Sequence, residues 1–225
     1  MKRYFLFILL ALLPAQALPA ESADSGKLDA KSGFPEITDK PFVVFNEGFT
    51  SAWVTRIVLQ EDRSNFVIKD FMPGVCFGFT THNMRPLNST VRLAVYYPYA
   101  STFNGVPQKA KNVIRYAVDC FAGPVFQPDM WNYVRFNLAP GIHVLYQTGD
   151  RFCYIDLGAA ALAGVEFPVS RGWTVLLDGL FAVDYGNLGT NAAMEPYDYV
   201  WEYQLSLSVR YSVKAPNRYS YLRAK

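Results

Sequence analysis

Cysteine is scarce and odd in number: Cys76, Cys120 and Cys153 are the only three in 225 residues, which does not suit a disulfide framework. Histidine is scarcer still, His82 and His143 alone, and the five residues show no metal-ligand spacing, so no metal or other cofactor is expected. After the N-terminal segment no apolar run approaches the roughly 18 to 20 residues a membrane helix needs, and a helical membrane protein is excluded. Surplus charge is missing too. Once Lys2 and Arg3 leave with that segment, the 21 basic residues fall to 19 against 19 acidic ones. With no positive field and no basic patch interleaved with aromatics, a nucleic-acid partner is not expected.

What is present begins with a secretory signal at residues 1–20. Lys2 and Arg3 form its charged start, Tyr4 to Leu13 its apolar stretch, and Pro14 breaks it ahead of small residues, with cleavage after Ala17 or, favoured here, Ala20. No cysteine follows the apolar stretch, which argues against a lipid anchor. Residues 21–41 are polar and without period, and read as a flexible leader. The remaining length suits one domain.

From Trp53 onward the dominant signal is the strand period of two. In Tyr203 to Tyr211, one face carries Tyr203, Leu205, Leu207, Val209 and Tyr211, and the other Gln204, Ser206, Ser208 and Arg210. Trp173 to Tyr185 and Arg151 to Phe167 alternate in the same way. So do shorter segments around Trp53 to Leu59, Val75 to His82, Val91 to Tyr97, Ile114 to Val118 and Val134 to Tyr146. Eight strands result; Pro140 with Gly141 is a candidate extra turn, which keeps ten strands as the alternative.

Alternation alone does not say which face points inward. The polar faces carry small or hydrogen-bonding residues and a sparse set of both charges: Arg92, Arg115, Arg135, Arg210, Asp119, Asp156, Asp178, Glu166 and Glu202. A water-facing surface would hold a denser coat of lysine and glutamate. Aromatics mark the ends of the apolar faces, as with Trp173 and Tyr185 or Trp201 and Tyr211, and the last four strands have the 9 to 11 residues that a tilted crossing requires. The pattern predicts an all-β, closed, antiparallel, up-and-down transmembrane β-barrel over residues 42–211. A soluble lipocalin-like periplasmic binder is the remote alternative. With both ends in the periplasm, Pro98 to Lys111 and Gly186 to Asp198 become long surface loops, whereas Gln147 to Asp150 is a short connection on the same side.

The last strand also carries a family resemblance. Gln204, Leu205, Ser206, Leu207, Ser208, Val209, Arg210 and Tyr211 resemble the assembly signal of outer-membrane barrels, in which a polar residue, a glycine, a hydrophobic residue and a final aromatic are spaced two, three and two apart; Gln204, Ser206, Val209 and Tyr211 stand at those positions. Together with the export signal and the eight strands, this makes the chain similar to the small barrels of the OmpA, OmpX and OmpW kind. The resemblance implies the outer membrane of a diderm bacterium, contact with its lipids and recognition by the barrel-insertion machinery. Two departures stand out: Ser206 replaces the usual glycine, and residues 212–225 follow the signal as a basic periplasmic tail with Lys214, Arg218, Arg223 and Lys225.

The two histidines are the candidates for acid–base chemistry. By phase both face the lumen, and no serine and acid complete a triad at a recognisable spacing, so enzymatic activity is not expected. Cys120 and Cys153 fall on the lipid-facing side of different strands and Cys76 on the inner side, so three free thiols are expected. The most informative set is the lumenal charge network of Arg92, Arg115, Arg135, Asp156, Glu166, Asp178 and Arg210. An eight-stranded barrel is just wide enough to be filled by side chains, so buried charges must pair. Arg210 with Glu166 is the first expected pair; Arg92 or Arg135 with Asp178 is the second. Two functions follow: a surface-exposed binding or structural protein with a plugged lumen, whose loops contact host or envelope molecules, or an OmpW-like passive channel for small solutes.

Overall fold

The computed structural model describes residues 42–59, 65–82, 88–108, 114–127, 129–131, 134–149, 153–170, 173–185 and 197–214. The signal segment 1–20, the leader 21–41 and the tail residues 215–225 lie outside the described residues. Eleven strands form among them: β1 (Phe42–Leu59), β2 (Asn65–His82), β3 (Asn88–Tyr96), β4 (Ala100–Phe103), β5 (Val106–Gln108), β6 (Tyr116–Val125), β7 (Asp129–Trp131), β8 (Val134–Thr148), β9 (Cys153–Ser170), β10 (Trp173–Tyr185) and β11 (Tyr197–Lys214).

Eight of them, β1, β2, β3, β6, β8, β9, β10 and β11, make a closed antiparallel ring in chain order. Closure runs from Phe42 opposite Lys214 to Leu59 opposite Tyr197, so β1 is paired along its whole length on both sides. A closed ring leaves no unpaired sheet edge for another chain to add to. The end holding Phe42 and Lys214 is called the lower rim and the end holding Leu59 and Tyr197 the upper. Connections at the lower rim span 83–87, 126–133 and 171–172; those at the upper rim span 60–64, 97–115, 149–152 and 186–196.

Two prolines inside ring strands show how the ladder tolerates a missing donor. Pro140 sits within β8, not at a turn, so the ten-strand reading falls. The amide and carbonyl of Leu138 both face Phe126, and by the period of two Pro140 nitrogen faces the same side. There the β6–β8 ladder is interrupted between Ile142 and Leu138, so no bond is lost. Pro73 in β2 accepts from Tyr97 N at 2.9 Å, on the side where β3 has already ended.

Beyond β3 the chain does not form a plain loop. β4 pairs with Ile68 to Phe71 of β2, and β5 folds back on β4 across Asn104 (φ 47°) and Gly105 (φ 80°). Positive φ at two central residues is the type I′ hairpin turn that Asn-Gly favours. Asn104 Oδ1 also accepts from Val67 N at 2.8 Å, tying the hairpin to β2. The segment from Pro98 to Lys111, expected as a loop, therefore carries a hairpin laid against the upper part of β2.

Burial decides the direction of the barrel. Ser206, Ser208, Gln204 and Arg210 are at most 4% exposed, whereas Leu205 and Leu207 are 51% and 56% exposed. The apolar faces point outward all round the ring, the reverse of a water-soluble barrel. The outward rings cluster at the two ends: Phe45 and Trp173 lie against Tyr211 near the lower rim, and Tyr185 meets Tyr199, and Tyr116 meets Tyr146, near the upper. At about 3.3 Å per residue and a tilt near 40°, Trp201 to Tyr211 rises about 25 Å, the height of the apolar band of a membrane barrel.

Two expectations are corrected at the ends of strands. Arg115, placed by phase in the lumen, is exposed while Ile114 is buried. The alternation resets before β6, where Arg115 N bonds to Thr148 O at 2.7 Å. β11 continues past Tyr211 through Lys214 because β1 reaches down to Phe42 and pairs with it, so the first three residues assigned to the tail belong to the barrel wall.

Candidate functional site in the barrel lumen

The inward positions of the eight strands stack into four tiers of charge. In the lowest, Arg210 Nη1 meets Glu166 Oε2 at 2.7 Å, Thr174 Oγ1 donates to Glu166 Oε1 at 2.5 Å, and Arg210 Nη2 reaches Thr80 Oγ1 at 3.0 Å. Arg135 belongs to this tier, opposite Glu166 in the β8–β9 register. One tier up, Arg92 Nη1 bonds Asp178 Oδ1 at 2.7 Å, and Arg92 Nη2 donates to Thr50 Oγ1 at 3.1 Å and to Ser206 Oγ. β3 and β10 are four strands apart in a ring of eight, so this pair spans the whole lumen.

The uppermost tier is built on Arg56, which is 2% exposed. Its Nη1 and Nη2 meet Asp156 Oδ1 and Oδ2 at 3.0 and 2.5 Å, an end-on bidentate pair, while Nη1 also reaches Asp198 Oδ2 at 2.9 Å and Nη2 Gln147 Oε1 at 2.9 Å. The guanidinium lies 4.2 Å over the Tyr154 ring. A planar, fully charged fork serves four partners here where an ammonium would serve fewer.

The third tier, between Arg92 and Arg56, has no arginine. His143 is completely buried and held by carboxylates: Nδ1 lies 2.9 and 2.8 Å from the two oxygens of Asp184, and Nε2 contacts Asp119 Oδ2 and stands 3.7 Å from Glu202 Oε2. Gln204 Nε2 donates to Asp119 Oδ2 and to Glu202 Oε1, each at 2.7 Å. Local sequence makes the convergence possible. Gly158 on β9 stands opposite both His143 on β8 and Asp184 on β10. A Cβ there would run into Asp184, so the bare backbone lets the two side chains meet over the intervening strand. Inward alanines at 52, 94 and 182, all fully buried, leave room for the longer side chains beside them.

Of the seven residues named for the lumenal network, Arg92, Arg135, Asp156, Glu166, Asp178 and Arg210 sit inside and Arg115 does not. Asp178 goes to Arg92, and Arg135 stays below with Glu166. Within the assembly-signal segment Gln204 and Ser206 point inward into the tiers, and Val209 and Tyr211 outward. The His82 side chain lies outside the described residues, and Cys76 is buried while Cys120 and Cys153 are half-exposed, all three free. Arg56, Asp198, Asp184 and His143 were missed as partners. Phase alone puts Arg56, Asp184 and His143 inside, but which residues share a height depends on strand stagger.

No protein-family model matches the chain, and no curated protein matches it in sequence. Among solved structures, the outer membrane protein OprG from Pseudomonas aeruginosa superposes with a TM-score of 0.52 at 10% identity, over 79% of this chain and 98% of that one. Neisserial surface protein A gives 0.49 at 16% identity over 74% and 96%, and Ail of Yersinia pestis gives 0.42 at 14% over 76% and 99%. At such identities the likeness to OprG is one of fold.

Proposed function

Because the chain has the fold of the small eight-stranded outer-membrane barrels, we propose that it is a surface-exposed outer-membrane protein with a closed lumen, acting through its upper rim in a binding or structural role. The observation that carries the closed lumen is the stack of charge tiers. Arg56, Tyr96, Phe121, His143, Gln147 and Glu202 lie inside the wall with at most 2% of their surface reachable by water, where a conduit would expose them. The surface role rests on the asymmetry of the ends: the upper rim carries the β4–β5 hairpin and joins the eleven residues 186–196, whereas the lower-rim connections 83–87, 126–133 and 171–172 are shorter. The outward band fits the outer-membrane lipids. The Gln204 to Tyr211 segment of β11 is what the insertion machinery is proposed to read, and the upper rim is where host or envelope molecules are proposed to bind. No enzymatic role is assigned to the lumen.

Planar-bilayer recording tests the closed lumen. The expected record is silence at protein concentrations where an open porin conducts, and a persistent open state would replace this reading by that of a passive channel for small solutes. The orientation has its own test. In a chain whose three cysteines are changed to alanine, Asn104→Cys should react with a membrane-impermeant maleimide on intact cells; labelling only after lysis would put the hairpin in the periplasm.

A further inference from the structure

We propose that Asp119, His143 and Glu202 form a site for one divalent transition-metal cation of the zinc class in the middle of the lumen, with Asp184 orienting the imidazole. The proposal goes beyond the surface role above and does not depend on it. Three observations converge.

The first is donor geometry. One oxygen each of Asp119 and Glu202 and a ring nitrogen of His143 all lie within 4.8 Å of one another, and His143 Nε2 to Glu202 Oε2 is 3.7 Å. Metal–ligand bonds of about 2.0–2.2 Å hold donors roughly 3 to 4 Å apart, so a small adjustment of side chains suffices.

The second is the set of oxygens left over. Asp119 Oδ1, Glu202 Oε2 and Gln204 Oε1 are buried without a hydrogen-bond partner. All three residues belong to this tier, and Glu202 is fully enclosed. Buried oxygens without donors are costly, and a cation satisfies several at once. The tier also holds three carboxylates against a single imidazole, while each of the other three is centred on an arginine. Over the described buried residues, eight acids (Asp70, Asp119, Asp156, Glu166, Asp178, Asp184, Asp198 and Glu202) face four arginines and His143. With the liganding imidazole neutral, a divalent ion offsets half of that excess, at the one tier that lacks a permanent cation.

The third is the second carboxylate on the ring. Asp184 takes the Nδ1 side with both oxygens, which directs the Nε2 lone pair toward Asp119 and Glu202. This carboxylate–imidazole–metal relay is the usual support of a histidine ligand. One imidazole with carboxylate and amide oxygens suits zinc or manganese better than calcium or magnesium, which prefer all-oxygen shells.

The test uses the mature barrel refolded from urea into detergent, with and without one equivalent of zinc ion, then desalted. His82→Asn serves as the background, leaving His143 the only histidine. One zinc per barrel should be retained, and calcium should not compete. Glu202→Gln and His143→Asn should each weaken binding at least tenfold, and Asp184→Asn, with every ligand intact, ten- to hundredfold, heat-modifiable migration confirming that each variant folds. If a variant fails to fold, X-ray absorption of the zinc-loaded barrel still decides, since one imidazole with oxygen donors is expected. Substoichiometric retention, zinc binding undiminished in the variants, sulfur ligation or a shell of oxygen alone would overturn the proposal.

Discussion

At the scale of residues, the lumen shows how buried charge shapes this protein. Arg92 is 3% exposed and bonded to Asp178 across the full width of the barrel. Arg92→Met leaves Asp178 buried without its cation and should cost about 3–5 kcal/mol, read as a lower urea midpoint for the barrel in lipid vesicles. Adding Asp178→Leu should restore most of the loss, because a well-packed apolar pair replaces the ion pair without an orphaned charge. If the double variant is no more stable than the single one, the desolvation account of this tier is wrong. Gly158 makes a narrower case. An added Cβ would lie 2.6 Å from Asp184 Cα, so Gly158→Ala should destabilise the barrel by about 1–3 kcal/mol and separate Asp184 from His143. A ¹⁵N spectrum of the His143 ring checks the second effect independently of the first.

At the scale of elements, the β4–β5 hairpin can be perturbed separately from the ring. Gly105 has φ of 80°, a conformation that a β-branched residue resists. Gly105→Val should disorder the hairpin, costing about 1–3 kcal/mol locally. Protease sensitivity should then rise at residues 100–108 while heat-modifiable migration of the barrel stays unchanged. Loss of the folded band altogether would mean that the hairpin supports the ring. The prolines of β2 and β8 make the complementary point: each faces a stretch where its ladder is already interrupted, so both remain inside long strands. Sequence reading took Pro140 with Gly141 as a candidate turn because a turn and a gap in a neighbouring ladder accept proline equally well. The Asn-Gly pair of the hairpin, by contrast, was legible as a turn signal and was passed over within a segment taken whole as a loop.

At the scale of the whole molecule, the governing fact is inversion: apolar outside, charged and packed inside. Leu207 is 56% exposed near the middle of the outward band. Leu207→Arg should therefore cost about 2–4 kcal/mol in a bilayer, measured by folding into vesicles. A soluble protein with Leu207 on its surface would tolerate the change. The alternation along Tyr203 to Tyr211, the aromatic ends and the sparse mixed charge of the polar faces were enough to predict a barrel, its direction and its eight strands, since period two and face chemistry are properties of a single strand. Inward placement of Arg92, Arg210, Glu166 and Asp178 followed from the same phase, and the expected Arg210–Glu166 pair forms, whereas the partner of Asp178 stayed open between Arg92 and Arg135 until the fold assigned it to Arg92. Arg115 escaped because phase is kept only while the chain stays in a ladder, and it precedes one. What only the tertiary structure decided is height. Closing β1 on β11 sets the stagger of all eight strands, and stagger, which no single strand encodes, brings Arg56 to Asp156 and Asp198 and gathers His143, Asp119, Asp184 and Glu202 into one tier.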